Sequence, residues 1–426
     1  MRIGIDVSAA VNQHAGIGRY ARGVLSAMAA MRPRDWVLEV SPRPDAGPHP
    51  PPPSPPAGEG AQPSSPLPRT GRVRCAPYDV GGLHAPARDE GPLVPRFARG
   101  RRVQLPVSER YLWIAWQRLR LPLPPDLLAP RLDVFYNPDF PLPPLAYAPG
   151  VCTVHDLSFI TVPQCAFPRL RALLLRTVPW ALERARLVVA VSEHTRHDLV
   201  TLLGVPPQKV RVAANAVDPL FRPVRDADWR AAERRRLALP DRFLLAVGTL
   251  EPRKNLMLAL EALALLRDRG QVLPLVVVGR EGWLYEPIYA RVETLRLRGQ
   301  VRFLTDAGDA DLLALYNLAD VMVFPSLYEG FGLPPLEALA CGAVVVCSNT
   351  SSLPEVVGNA ALLVDPHDAA GLERALERAL DDAALRRDLT ARGPAQARRY
   401  TWEASAASVL ATLREAAQGP TGDLEH

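Results

Sequence analysis

The residues best suited to chemistry lie in Phe324-Pro-Ser-Leu-Tyr-Glu-Gly-Phe-Gly-Leu-Pro-Pro-Leu-Glu-Ala-Leu-Ala-Cys-Gly342, where Glu329 and Glu337 stand eight positions apart. A carboxylate accepts two hydroxyl hydrogen bonds at once, so two of them on one ligand suit a molecule with sugar diols at both ends. Between them a loop with Gly330 and Gly332 runs into a helix whose first turn carries Pro334 and Pro335, where missing N–H groups cost little. The N–H groups of Phe331, Gly332 and Leu333 are then expected to point outwards together at a helix N-terminus, an anion site suited to a diphosphate. Glycine at 330 and 332 would let the phosphate approach closely. The plainer alternative is that the glycines end a strand and the glutamates cap the helix.

A second group, Gly248-Thr-Leu-Glu-Pro-Arg-Lys-Asn255, follows a strand pattern and precedes a helical one. From that junction Arg253 and Lys254 are expected to enter the same cleft, where cations would neutralise a diphosphate as its bond to a sugar breaks. Of 50 basic residues only Lys209 and Lys254 are lysine, and the compact ammonium is not replaced by arginine's planar fork. His155-Asp156 follows the apolar run Val151 to Val154 and opens a loop, with Asp156 placed to orient the histidine or cap the next segment. Gly16 and Gly18 would bring backbone close to the donor phosphates or the acceptor, and Arg19 suits an acidic acceptor. Ser192 and Glu193 read as the cap of the helix that follows. These motifs hold no Asp-x-Asp, and the five cysteines share no metal-ligand spacing, so no metal site is expected and the thiols read as buried and reduced.

Positioning these groups requires rigid supports. Arg2 to Val7 reads as a buried strand, followed by a loop with Gly16 and Gly18 and a helix over Tyr20 to Met31. Strand runs recur at Asp133 to Tyr136, Gly150 to Val154, Leu187 to Val191 and Val210 to Val212, with helical stretches at Arg169 to Arg184 and His194 to Leu203. A second alternating series starts at Phe243 to Val247 and runs through Leu256 to Arg267, Leu275 to Val278, Val301 to Leu304, Asp309 to Leu318, Val321 to Val323, Pro335 to Ala340 and Ala343 to Val346. Such alternation predicts two α/β, doubly wound parallel sheets facing across a cleft. The expected division is residues 1–218, residues 219–400, and a last stretch 401–426 whose helix, Trp402 to Ala416, caps the chain or crosses back to the first domain.

The Pro-, Gly- and Ser-rich stretch 41–69 reads as a disordered insertion. Between Arg96 and Leu128 arginines alternate with Phe97, Tyr111, Leu112, Trp113, Ile114 and Trp116, an amphipathic surface for membrane headgroups or an ordinary helix over a core. At 426 residues two domains are expected. A net charge of +5 is spread without the aromatic interleaving of an RNA-binding surface, so no nucleic-acid partner is expected. No run reaches membrane-helix length and the N-terminus lacks the stages of a signal peptide; the expectation is a cytoplasmic protein, with a peripheral contact at the inner face of the membrane.

The 324–342 segment resembles the signature of retaining glycosyltransferases of the GT-B type, family four (glycosyl transferases group 1). The resemblance extends to Gly16-Ile-Gly-Arg-Tyr20, His155-Asp156, Val191-Ser-Glu-His-Thr195, Asn215-Ala-Val-Asp218 and Gly248 to Asn255. It implies two Rossmann-like domains, an acceptor-side first domain and a nucleotide-sugar donor domain, with Glu329 on the transferred sugar and Glu337 on the ribose. It further implies His155 near the reacting carbon, Arg253 and Lys254 as catalytic cations, and donor contacts at Gly16, Gly18, Gly248, Gly330, Phe331, Gly332 and Leu333. Thr249 departs from the commoner pattern, which has arginine directly after the glycine; this variant resembles a mannosyltransferase-like branch, with Arg253 as the substitute. The implied reaction is metal-independent transfer of a hexose, mannose from GDP-mannose, to a glycan or lipid-linked acceptor in cell-surface polysaccharide synthesis. No cofactor is required beyond the nucleoside-diphosphate sugar itself. The alternatives are a phosphorylase or synthase of the same fold, and a nucleotide-sugar-binding protein without turnover.

Overall fold

The computed structural model describes residues 1–12, 16–32, 35–43, 97–108, 111–112, 114–121, 123–129 and 131–418. Short runs such as Leu275–Val278 (Leu-Val-Val-Val) and Val321–Phe324 (Val-Met-Val-Phe) are buried at every position. A strand apolar on both sides needs helices on both faces, and parallel sheets supply that arrangement.

The first sheet holds β1 (Arg2–Asp6), β2 (Trp36–Arg43), β3 (Gly100–Ser108), β4 (Val134–Asn137), β5 (Gly150–Val154), β6 (Leu187–Ala190) and β7 (Val210–Val212) in the order β3-β2-β1-β4-β5-β6-β7. The second holds β8 (Leu244–Val247), β9 (Leu275–Val278), β10 (Val301–Leu304), β11 (Val321–Phe324), β12 (Val345–Ser348) and β13 (Leu362–Val364) in the order β10-β9-β8-β11-β12-β13. All pairings are parallel, with Val321 opposite Leu244 and Met322 opposite Leu245 where the strand order reverses. A ligand crevice forms beyond the carboxyl ends of the strands at such a reversal. The loops after β8 and β11 carry Gly248 to Asn255 and Pro325 to Gly332.

Several sequence expectations are corrected. The helix expected from Tyr20 already starts at Gly16, so Gly16 and Gly18 sit in its first turn rather than in a loop, and a further short helix covers Ser8–Asn12. Burial of Gly18, Tyr20, Ala21, Val24, Leu25 and Met28 on one side draws the glycines into the helix. Of the expected disordered stretch, Ser41 to Arg43 forms the end of β2, and the remainder, 44–69, lies outside the described residues. The stretch expected to be amphipathic opens with an edge strand, β3, and continues with one turn of π-helix, Ile114–Arg118, and a 3-10 turn, Pro125–Leu128. Val103 and Leu105 pack on the core while Arg101, Arg102 and Gln104 are exposed, the polarity of a protected sheet edge, where Pro106 is tolerated. The polar stretch 219–241 contains the helix Ala227–Arg236, capped by Asp226, whose side chain accepts from Trp229 N.

The helix Trp402–Gln418 leaves the second sheet's layers and packs on the first domain, against Gly16–Met31 and across one face of β4 to β7. A Cβ on Gly23 would lie 2.3 Å from the Trp402 ring, so glycine there makes the notch that the indole fills. The second lysine, Lys209, donates to Leu182 O (2.6 Å) and Glu183 O (3.1 Å), closing the C-terminus of the helix Pro168–Arg184. Cys152, Cys165, Cys341 and Cys347 are buried free thiols; Cys75 lies outside the described residues.

Candidate functional site

The loop after β11 ends at Gly332, whose φ of 103° is open to glycine but strained for other residues, and the helix Leu333–Ala340 begins at the next position. Among the described residues nothing hydrogen-bonds the amides of Phe331, Gly332 and Leu333. Three donors therefore stand at the positive end of a helix, as the sequence suggests.

Glu329 lies beside these amides and is buried. Lys254 Nζ reaches its Oε1 at 2.7 Å and Arg253 Nη1 its Oε2 at 3.0 Å. Burial pushes the Glu329 carboxyl up, but Arg253 and Lys254 outweigh it and hold the group down at about 2. The two cations differ in freedom. Arg253 also donates to Glu251 Oε1 (2.6 Å) and Tyr328 O (3.0 Å), which welds the β8 loop to the β11 loop. Lys254 has Glu329 as its hydrogen-bond partner and lies 5.1 Å over the Phe324 ring, with its stem across Gly248, where a Cβ would sit 3.3 Å from Lys254 Cε. Gly248 thus makes room for the lysine. Thr249 faces the loop after β9, where a Cβ on Gly282 would come 2.7 Å from its methyl group.

Glu337 lies on the helix, 2% exposed, and Tyr316 Oη donates to its Oε2 at 3.0 Å. Its other oxygen is ion-paired with Arg19 of the first domain, whose second nitrogen meets Asp309. Burial drives the Glu337 carboxyl up, against the pull of Arg19 and Tyr316. The two glutamates therefore shift in opposite directions.

The first domain grips the loop between them. Gly330 lies so near the His155 carbonyl oxygen that a Cβ would come within 1.7 Å of it. Ser192 Oγ donates to Gly330 O (2.7 Å), as does Thr195 Oγ1 (3.2 Å), while Ser192 also caps its own helix by accepting from Thr195 N. Tyr328 Oη donates to Asp198 Oδ2 at 2.5 Å, and Glu355 accepts from the N–H groups of Glu193 (3.0 Å) and His194 (3.2 Å) at the head of the helix Glu193–Leu203. The closeness expected of Gly330 towards a phosphate is thus used by the other domain's backbone.

The His155 ring is buried beside Tyr20 (5.0 Å between centroids) and Phe140 (5.8 Å). Its Nε2 lies 2.9 Å from Pro138 O; a carbonyl only accepts, so Nε2 carries a proton, and in the tautomer with that single N–H the acceptor is Nδ1. Asp156 accepts from Ser158 N at 2.9 Å, the capping alternative of the sequence reading. The structure thus gathers Arg253, Lys254, Glu329, Gly330, Phe331, Gly332 and Leu333, sets Glu337 one turn further, and brings His155 against the loop through its main chain. Gly16 is exposed at the start of its helix and touches none of them. Sequence reasoning gave no site role to Tyr316, on a helix that precedes the motif, or to Asp309, Thr195, Asp198 and Glu355, whose partners lie far away along the chain.

Two parallel sheets in domains joined through the loop after β11, with paired carboxylates and a helix N-terminus at the crevice, define a glycosyltransferase of the GT-B type. Residues 229–396 match the family model described as Glycosyl transferases group 1, and residues 72–220 match Glycosyltransferase Family 4. The chain belongs to this family. O-antigen chain mannosyltransferase B of Escherichia coli is 35% identical over 272 residues, covering 63% of this chain and 71% of that protein. The serotype-specific mannosyltransferase WbdA of Escherichia coli is 35% identical over 260 residues, 59% of this chain but 32% of WbdA, so the match takes in about a third of that protein. The sucrose-phosphate synthase from Thermosynechococcus elongatus superposes with a TM-score of 0.68 over 97% of this chain and 98% of its own at 21% identity, a likeness of fold.

Proposed function

We propose that this glycosyltransferase moves a hexose, with mannose from GDP-mannose as the assigned donor, to a glycan or lipid-linked acceptor in cell-surface polysaccharide synthesis, with retention of anomeric configuration. The observation that carries the donor site is the row of unpartnered amides at Phe331, Gly332 and Leu333, flanked by Glu329 with Lys254 on one side and Glu337 on the other. A diphosphate laid across these amides puts a sugar at Glu329 and a ribose at Glu337. Similarity to mannosyltransferases supports the choice of sugar.

In this reading the C1–O bond to the diphosphate breaks while the acceptor oxygen bonds to C1 from the same face, and the acceptor's proton passes to a phosphate oxygen. Lys254 and the helix N-terminus stabilise the departing charge, so the step needs no metal ion. Glu329, held ionised by two cations, binds sugar hydroxyls rather than attacking carbon, and His155 Nδ1 accepts from a sugar hydroxyl. The first domain's exposed Leu119, Leu121, Leu123 and Leu127, with Arg120 among them, favour contact with headgroups at the inner face of the membrane. No helix among the described residues is long and apolar enough to cross a membrane.

A thermal-shift screen over nucleoside diphosphates and sugar nucleotides tests the donor, because a ligand that binds the folded state raises its melting temperature. GDP and GDP-mannose should give the largest shifts; a preference for UDP or ADP would reassign the base. Proton NMR of the product then reads the anomer. Release of sugar phosphate in place of nucleoside diphosphate would favour a phosphorylase, and binding without turnover a non-catalytic protein.

A further inference from the structure

Glu337, which the donor reading assigns to the ribose, is already occupied. One carboxylate oxygen pairs with Arg19, which enters from the other domain, and the second accepts from Tyr316 Oη. The carboxylate has lone pairs to spare, but at 2% exposure they are covered, so a ribose diol reaches it only where one of these partners moves aside. Tyr316 is fully buried and fixed by packing, with Phe221 edge-on at 5.7 Å between centroids. Arg19 is 24% exposed, on a long side chain in the first turn of its helix. Arg19 is the partner able to leave.

A displaced guanidinium keeps Asp309, but that carboxylate is 59% exposed and solvent-screened. The strongest new anion in reach is the diphosphate that arrives with the ribose, lying one helical turn back at the amides of Phe331 to Leu333. We propose that Arg19 and the ribose exchange on Glu337, and that the released Arg19 becomes a first-domain contact of the diphosphate. A nucleoside alone breaks the ion pair and offers nothing in return. A nucleoside diphosphate breaks it and re-forms a pair with the same cation. Arg19 thereby sets the preference for a diphosphate-bearing ligand over the bare nucleoside and ties donor occupancy to the first domain. Burial that pushes the Glu337 carboxyl up makes an unexchanged, unpaired carboxylate unfavourable, in keeping with this partner swap.

The inference rests on the donor site proposed above, so the test separates the two. Isothermal titration calorimetry on the full chain compares guanosine with GDP, uridine with UDP and adenosine with ADP in wild type, Arg19→Ala, Glu337→Gln and the double variant. For the base that wild type binds, Arg19→Ala should bind the nucleoside about tenfold more tightly and show a preference for the diphosphate at least about tenfold smaller. In the Glu337→Gln background, where no ion pair has to break, Arg19→Ala should leave nucleoside affinity unchanged and still weaken the diphosphate. A preference that is the same with and without Arg19, or a nucleoside that gains nothing, overturns the exchange while the donor site stands. Wild type that binds no nucleoside diphosphate overturns both.

Discussion

Gly330 carries its missing side chain against the carbonyl oxygen of His155, and the space between them is too small for a methyl group: a Cβ would lie 1.7 Å from that oxygen. The loop after β11 and the first domain are thus fitted backbone to backbone. Gly330→Ala has no flexible side chain to push aside, so the domains must part. We expect a loss of about 1–3 kcal/mol in stability, a larger radius of gyration in solution scattering, and transfer reduced far beyond what the stability change explains. Wild-type scattering together with wild-type turnover would show that this contact is dispensable.

The two lysines make a paired prediction. Lys254→Ala removes the cation between Glu329 and the site while Arg253 still holds Glu329, so turnover should fall about 10²–10³-fold, far more than the stability lost with one of Glu329's two ion pairs explains. Lys209→Ala instead uncaps the helix Pro168–Arg184, costing about 1 kcal/mol in urea unfolding, and should leave turnover alone. If the two variants behave alike, the assignment of one to chemistry and the other to a helix end fails.

Glu329 sets a pH dependence of known sign. Its folded pKa is about 2 against 4.5 for the unperturbed group, so its contribution to stability is complete above pH 4.5 and disappears as pH falls towards 2. Glu329→Gln resembles the protonated side chain. The stability gap between wild type and Glu329→Gln should therefore be constant at neutral pH and close between pH 4.5 and 2 in acid unfolding curves. A gap that stays open at the acid end would contradict the pairing.

Tyr328→Phe removes the donor that crosses to Asp198, which is buried and whose other side-chain partner is His194 at 3.3 Å. Burial raises Asp198, and the hydrogen bonds from His194 and Tyr328 bring it below the ordinary value. Losing one of them should cost about 1–3 kcal/mol, read as a lower urea midpoint with an unchanged slope.

Most of the architecture was legible because strands buried on both faces leave uninterrupted apolar runs; Leu275 to Val278 can hardly be anything else. β2 and β3 were not, since Trp36–Arg43 carries Glu39 and ends in Ser-Pro-Arg, and its buried carboxylate is matched by Arg102 on the neighbouring strand. Only the paired structure makes that charge acceptable. The two glutamates and Lys254 were legible for a different reason: their spacing and glycine context mark them within one segment or one junction. Their counterparts were not, because Arg19 meets Glu337 from 318 positions away and Glu355 caps a helix about 160 positions earlier. Such contacts depend on how two domains close, and no local pattern carries that information. Gly330 shows a subtler failure: the need for glycine was right, but what comes close to it is a carbonyl of the same chain.

The Trp402 indole seated in the Gly23 notch has a consequence for biogenesis. The first domain receives part of its core from residues translated after the whole second domain. On the ribosome the early sheet must therefore wait with an open apolar face while some two hundred further residues emerge, a period in which a chaperone or a neighbouring nascent chain can compete for that face. The order in which the chain is made and the order in which its domains are finished are different.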